Sequence, residues 1–399
     1  MTARDTLRQA ADDADLEAYA DVLIAAFGLA RSRAQTLHWA SLFRRDDLWL
    51  AERDGRVVAG AAIARAEQWW GGRAQPLAGV SGVVTLPEVR GQGVSSRLLR
   101  HLHAHARALG FGLAALYAST FPLYRKLGYE QAGSIHVRQI RLRELGRDVG
   151  ARTLTVLPAD RAGIEAYERA WLANHPGDNG QLGRGPFFWG RIFRDDARAV
   201  VFARDGRPEG YAVLSAPEPT AVAHVAYDLK AWHAATPAAL AHLLAWLRDC
   251  AAAADTLTYR GAAVDAITLA LPAQSWEVRQ AQPWLLRVLD VSTAFTKRGY
   301  PAHVRTSLGL NVVDDLVPEN AGPWRIEVGD GQAEVHAGAT HGTADATLTT
   351  DARGLAALFT GAVSARALVQ MGRADANAAG IAAADALLAG PAAWPQDMF

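Results

Sequence analysis

Cysteine is almost missing from this chain: of 399 residues only Cys250 carries a thiol. No disulfide can close within one chain, and no cysteine-based zinc site can form. Lysine is nearly as scarce, with Lys126, Lys230 and Lys297 its only examples, so arginine carries the positive charge. Net charge is lacking as well, since 41 basic residues balance 41 acidic ones. That excludes a bulk nucleic-acid or membrane-surface role but not a local patch. No run approaches the roughly 20 apolar residues of a membrane span, and the opening MTARDTLRQAADDADLEAYADVL has no apolar signal core. The expectation is a cytoplasmic protein with neither nucleic acid nor membrane as partner.

What is present is core-forming material. Half the residues are hydrophobic, and the length suggests two or three domains. Asp15 to Phe27 reads as an amphipathic helix with Leu16, Tyr19, Val22, Leu23 and Phe27 on one stripe. LWLAERDGRVVAGAAI reads as two strands around Asp54-Gly55, a hairpin signal. A strand from Val80, a long helix, the strand LAALYAST, a short helix ended by Gly128 and the strand SIHVRQIRL follow. The next region repeats the order: a helix, the hairpin AVVFARDGRPEGYAVL, the strand AVAHVAYDL and a helix from Pro237 to Cys250. Its Arg204-Asp205-Gly206-Arg207 copies Arg53-Asp54-Gly55-Arg56 at a distance of 151 residues, which points to a duplicated fold. After about Ser292 the pattern changes to a helix, the hairpin strands PWRIEVGDGQAEVHAG and ADATLTTDARGLAALFTG, and two helices. No long Gly/Ser or Pro linker separates the regions, so they are expected to pack together.

The stretch VSGVVTLPEVRGQGVSSRLL, Val80 to Leu99, carries the chemistry. A β-branched strand ends at Pro87, and Val94, Leu98, Leu102, Ala106 and Leu109 then fall at helical spacing. Arg90 to Gly93 is therefore a strand-to-helix turn. Backbone N–H groups at a helix start are unpaired, and glycines let them approach a pyrophosphate closely. Ser95 and Ser96 add hydroxyl donors. No lysine makes this a P-loop, and Ser96 stands where a dinucleotide fingerprint needs its third glycine. Arg90-Gly91-Gln92-Gly93 instead resembles the acetyl-CoA loop of the GCN5-related N-acetyltransferases (GNAT). The resemblance implies that Val83, Val84 and Thr85 pair with the pantetheine chain. It also implies that Arg90, Gly91, Gln92, Gly93, Val94, Ser95 and Ser96 form the pyrophosphate loop, with Ser119 and Thr120 lining the far side of the thioester. Tyr124, followed by Gly128 and Tyr129, matches the family's Tyr-x-x-x-Gly-Tyr/Phe placement of a general acid for the departing thiolate. Tyr117, Phe121 and Tyr129 read as packing aromatics.

Taken whole, the chain resembles the Eis-type (enhanced intracellular survival) aminoglycoside N-acetyltransferases within that family. The resemblance implies an α/β (α+β mixed) chain of two tandem GNAT-like domains and a C-terminal sterol-carrier-protein-like α/β domain. The divisions expected are 1–145 (catalytic), 146–290 (degenerate, because YDLKAWHAATP has no glycine for a cofactor loop) and 291–399. It implies acetyl-CoA as co-substrate, no metal, and a primary amine of a small molecule or of a lysine side chain as acceptor. It implies a homo-oligomer, a hexamer. It also implies that the terminal carboxylate of Phe399 folds back into the first domain as general base, with Trp394 and Pro395 directing the tail. Phe27 and Trp39 are the expected aromatic pair of the acceptor pocket. No carboxylate lies between Phe27 and Arg44, where Leu29, Arg31 and Arg33 stand instead, which weakens the aminoglycoside reading. A non-catalytic acyl-CoA or lipid-binding protein is the alternative.

Three features have plainer readings. His101, His103 and His105 in HLHAH read as a solvated helix face; a metal pair of His101 and His105, four apart, is the alternative, with no third ligand apparent. Trp69 and Trp70 either rim a substrate mouth or pack. Cys250 ends an apolar helix with no histidine at a recognisable spacing, so it reads as core.

Overall fold

The computed structural model describes residues 5–28, 32–193, 197–215, 218–219, 225–272, 274–338, 345–388, 390 and 392–399. Leu29 and Arg31, and the first four residues of AVAHVAYDL, lie outside these. The chain opens with β1 (Thr6–Gln9), α1 (Asp13–Phe27), α2 (Arg33–Ser41), β2 (Leu48–Arg53), β3 (Arg56–Trp70), β4 (Arg73–Thr85), α3 (Val94–Ala108), β5 (Leu113–Leu116), α4 (Phe121–Arg125) and β6 (Glu130–Arg141). It continues with β7 (Thr155–Pro158), α5 (Arg161–Asn174), β8 (Leu182–Gly183), α6 (Pro186–Ile192), β9 (Ala197–Arg204), β10 (Arg207–Ser215), β11 (Glu218–Pro219), β12 (Val225–Ala234), α7 (Pro237–Asp249), β13 (Thr256–Gly261), α8 (Ala266–Ala270) and β14 (Trp276–Val288). The last region holds α9 (Val291–Lys297), β15 (Thr306–Val313), β16 (Gly322–Gly329), β17 (Gln332–Ala337), β18 (Thr347–Asp351), α10 (Ala352–Phe359), α11 (Ala365–Gln370), β19 (Ala374–Ala376) and α12 (Ala378–Leu388).

The duplication is visible in geometry. Asp54 and Gly55 both have positive φ, 51° and 74°, and so do Asp205 and Gly206, at 49° and 76°. Two such residues in a row make the two-residue turn that matches strand twist. Each half also carries a bulge on the strand that leads to its second long helix. The β3–β4 register shifts between Gly60 and Ala62, and the β10–β12 register between Val213 and Leu214.

The two halves share one sheet. Its order runs β1-β2-β3-β4-β5-β14-β6-β13-β12-β10-β9-β7, with β8 beside β3 and β11 beside β12. β14, late in the second half, pairs antiparallel with β5 over Leu285–Val288 and with β6 on its other side. β6 in turn pairs with β13. A cut at residue 145 divides the sequence but not the sheet. The strand expected as LAALYAST stops at Leu116, because Thr120 is already the residue before α4.

The third region is a five-stranded sheet, β17-β16-β15-β18-β19, under its own helices. It is tied to the first by a buried ion pair. Arg287 on β14 donates to both carboxylate oxygens of Asp314 at 2.8 and 2.9 Å and to Leu127 O at 2.6 Å. Trp69 and Trp70 are buried and pack; Trp70 faces the buried guanidinium of Arg298 at 5.2 Å. Among the described residues no helix is long and apolar enough to cross a membrane.

Candidate active site

β4 and β5 run parallel only over Leu77–Gly79 against Leu113–Ala115. Beyond Gly79 they part, so β4 from Val80 to Thr85 keeps its partner on β3 but has none on the β5 side. The bulge in this stretch sits at Gly82, whose φ is +59°. Tyr19, wholly buried on α1, donates its hydroxyl to Gly82 O at 2.8 Å and fixes the bulge. A strand with one open edge can accept an extended amide chain as an extra strand. Val83 and Thr85 are half-buried along it, while the Val84 side chain turns into the core.

The turn after the strand is built as an anion cradle. Gly91 and Gly93 have φ of +77° and +75°, a region side-chain-bearing residues rarely adopt. Gly93 is the residue before α3, and no side chain caps the helix. The amides of Val94, Ser95 and Ser96 are thus left for a ligand. Val94 itself is buried, 1 % exposed, and can act only through its backbone. Thr85 Oγ1 and Ser95 Oγ lie 2.7 Å apart, joining strand end to helix start. Arg90 turns away from the cradle: it donates to Thr85 O at 3.3 Å and to Ala26 O at 3.0 Å. The cations that flank the loop are ones sequence reading missed. Arg97 donates to Gln92 O at 3.0 Å, Arg53 to Gln92 Oε1 at 2.8 Å, and both pair with Asp5. Their signal was a one-turn spacing from Gly93 for Arg97; Arg53 had none.

The equivalent turn of the second half is closed. β12 enters α7 through Thr236, whose side chain accepts from Ala239 N, with Pro237 next. Of the amides that the first half leaves free, the second half lacks one at Pro237 and caps another, Ala239 N, with its own Thr236.

Tyr124 on α4 is buried, and among the described residues its hydroxyl has no hydrogen-bond partner. Burial pushes its pKa up to about 12, so it is a proton donor at neutral pH. Its ring meets that of Tyr129 edge-on at 5.9 Å, and Tyr129 in turn bonds His103 Nε2 at 2.7 Å. The solvated-face reading of HLHAH fails for His103, which is 5 % exposed and, by burial, held neutral with a pKa near 3. His101 and His105 do not face a shared metal: they flank the Trp49 ring, and His105 lies 3.4 Å from Asp47. Ser119 and Thr120 are exposed just before α4. Cys250 donates to Trp246 O at 3.4 Å, and burial raises its thiol to about 11, which leaves no thiolate nucleophile.

The last residues reach this cleft. A Cβ built on Gly79 would lie 2.6 Å from the Phe399 ring, so that ring occupies the fork between β4 and β5. Tyr117 and Phe188 hold it at centroid distances of 5.6 and 5.9 Å. The backbone of the tail is tied at each step: Gln181 to Trp394 O at 2.8 Å, Tyr117 to Asp397 O at 3.2 Å and Arg191 to Met398 O at 2.5 Å. Arg184, almost fully buried, binds Asp397 at 2.7 Å, Gln396 at 2.6 Å and Glu168. Gln396 also donates to Trp232 O at 2.9 Å on β12.

Trp39 stands over Gly82, but its aromatic partners are Phe43 at 4.8 Å and Phe187 at 6.1 Å. Phe27 is 47 % exposed and, among the described residues, has no ring contact. The expected Phe27–Trp39 pair is therefore corrected to a cluster of Trp39, Phe43, Phe187 and Phe188, half of it supplied by α6 of the second half. Arg33, seen in the sequence as an unfavourable charge, is spent on Glu17 and Asp21.

Comparison with known proteins agrees with this anatomy. Two acetyltransferase (GNAT) domain models match residues 7–132 and 180–288, and a sterol carrier protein domain model matches residues 291–396. The chain is 28 % identical over 386 residues to an uncharacterised N-acetyltransferase of Streptomyces avermitilis, covering 90 % of each. It is 26 % identical over 313 residues to the N-acetyltransferase Eis of Mycobacterium tuberculosis, covering 75 % of this chain and 74 % of that one. A solved GCN5-related N-acetyltransferase from Anabaena variabilis superimposes with a TM-score of 0.89 at 27 % identity, over 99 % of this chain and all of the other.

Proposed function

Since the chain is an N-acetyltransferase of the GCN5-related, Eis-like kind, we propose that it moves an acetyl group from acetyl-CoA to a primary amine of a small molecule, of aminoglycoside type, or of a lysine side chain. Acetyl-CoA supplies the acyl group as an activated thioester. The chain's own residues do the rest. The open edge of β4 at Val83–Thr85 and the cradle Gly91–Ser96 hold the co-substrate, with Arg53 and Arg97 adding positive charge. Tyr124 gives its proton to the leaving sulfur. The α-carboxylate of Phe399, a group of the kind that is ionised at neutral pH, attracts the acceptor ammonium and takes its proton directly or through water. The Trp39, Phe43, Phe187 and Phe188 rings exclude water around the amine.

One observation carries this reading: the Phe399 ring sits in the fork of β4 and β5, beside the open edge of β4 that leads to the glycine cradle. A pure acyl-CoA binder has no use for a buried proton-donating tyrosine or for a tail seated in that fork. In this reading residues 1–145 form the catalytic unit. Residues 146–290 seat the tail, and 291–399 serve as lid and assembly element of a cytoplasmic hexamer. The test is release of free thiol from acetyl-CoA with a panel of mono-, di- and polyamines and lysine peptides. Acetyl-CoA binding without thiol release from any amine returns the chain to the binder reading.

A further inference from the structure

Helix α5 of the second half borders a cavity of about 100 Å³ that the reaction above does not use. Its walls include the rings of Tyr167, Trp171, His233 and Trp394, with the carboxylates of Glu168 and Asp178 beside them. The rings are held in place. Trp171 and Tyr167 lie 4.6 and 5.7 Å from His233, centroid to centroid, and the Tyr167 hydroxyl meets His233 Nδ1 at 2.8 Å. Asp178 fixes the Trp171 indole N–H at 2.6 Å. Glu168 Oε1 takes both Arg184 and the Tyr211 hydroxyl, while Oε2 has no hydrogen-bond partner among the described residues.

The charge balance favours a positive guest. The guanidinium of Arg184 is already committed to Glu168 and Asp397. His233 is kept neutral by burial, with a pKa of about 4, and adds no repulsion. An anion would face two carboxylates. An uncharged guest would leave Glu168 Oε2 shielded from water and unpaired. Aromatic faces attract cations, and more strongly once both are desolvated.

We propose that this pocket binds a small organic cation, an alkyl- or methylammonium group, with Trp171 and Tyr167 as its ring wall and Glu168 as its counter-ion. Trp394 and Gln396 belong to the same wall, so a bound cation rests against the segment that carries Phe399 to the cleft. The ammonium comes either from a separate small molecule or from the far end of the acceptor.

Calorimetric titration of the full chain with tetramethylammonium, in the absence of acetyl-CoA, tests the site independently of acetyl transfer. Saturable one-to-one binding is expected, weakened at least tenfold by Trp171→Leu and by Asp178→Asn. Both substitutions leave the Arg184–Glu168 pair intact, so folding is not at issue. Neutral tert-butanol, of similar shape, should give no binding heat. Acetyl transfer then separates the sources. Tetramethylammonium that changes the rate with saturating monoamine marks a separate effector. Tetramethylammonium that raises KM for a diamine alone marks the acceptor's second ammonium. Absence of binding, equal binding of tert-butanol, or unchanged affinity in both variants overturns the proposal.

Discussion

The Phe399 ring and Gly79 are in such close contact that a methyl group on Gly79 would lie 2.6 Å from the ring. Gly79 is also the last residue of β4 paired with β5. The Phe399 ring therefore fills the point at which the sheet opens.

Removing Phe399, or adding a short tag after it, is expected to lower amine acetylation by roughly 10²-fold or more, the usual worth of a general base. Affinity for acetyl-CoA, read by calorimetry, should hardly move, since the cradle is built from another segment. Full activity in either variant would place the base elsewhere.

Tyr124→Phe should reduce kcat by about 10²- to 10⁴-fold with little change in co-substrate affinity. Burial holds the hydroxyl protonated to about pH 12. The wild-type rate should therefore show no fall from loss of this proton below about pH 11. A descending limb near pH 10 that disappears in the variant would contradict the burial argument.

Gly93→Val is expected to weaken acetyl-CoA binding at least about tenfold, or 1.4 kcal/mol. Its φ of +75° is hostile to a β-branched residue, so strain must be separated from lost contact. Gly110, with φ +82° and open space around it at the other end of α3, supplies the control. Gly110→Val should match the loss of stability and leave acetyl-CoA affinity intact.

Arg287→Met should destabilise the fold by about 3–5 kcal/mol, because Asp314 would be left buried without its partner. The pair is 1 % and 2 % exposed. The same substitution removes the donor to Leu127 O at the end of α4. Urea unfolding gives the first effect, and kcat with saturating substrates the second. An unaltered unfolding midpoint would refute the ion pair as a structural tie.

His103 carries a pH signature. Its folded pKa is lowered from 6.5 to about 3 by burial, so between these values the unfolded chain binds the extra proton. Stability from this group is fully present above pH 6.5 and is lost as pH falls towards 3, by at most about 1.4 kcal/mol per pH unit. His103→Gln, which keeps a partner for Tyr129, should flatten the stability curve by one proton over that window. Equal slopes in the two proteins would show that His103 titrates normally.

Much of this was legible in residue order. The turn Arg90–Gly93 between a β-branched strand and a helical stripe, the paired Asp-Gly hairpins, Tyr124 ahead of Gly128, and the missing glycines of YDLKAWHAATP are local patterns. Local patterns need only backbone stereochemistry to be read. Glycine at positive φ, a helix start without a cap and a two-residue hairpin are decided within a few residues. So the sequence by itself determined two related halves, one with a glycine turn before its second long helix and one without, and a different third region.

The tertiary structure alone decided which distant segments meet. Nothing in the pattern of β14 says that it inserts between β5 and β6, because a strand's hydrophobic alternation does not name its partner. Phe187 and Phe188 carry no signal of a partner in the sequence, and α6 brings them to Trp39 and Phe43 of the first half. Phe27 lies on the apolar stripe of α1, yet it ends exposed at the helix terminus while Trp39 turns to Phe43 and Phe187. His103 reads as one of three surface histidines, and only the packing of α3 on the sheet buries it on Tyr129. Arg184 has no local signal, yet it gathers Glu168 from α5 and Gln396 and Asp397 from the tail, and thereby steers the tail. These outcomes depend on long-range packing and on pairing buried charges, which a single chain read in order does not contain.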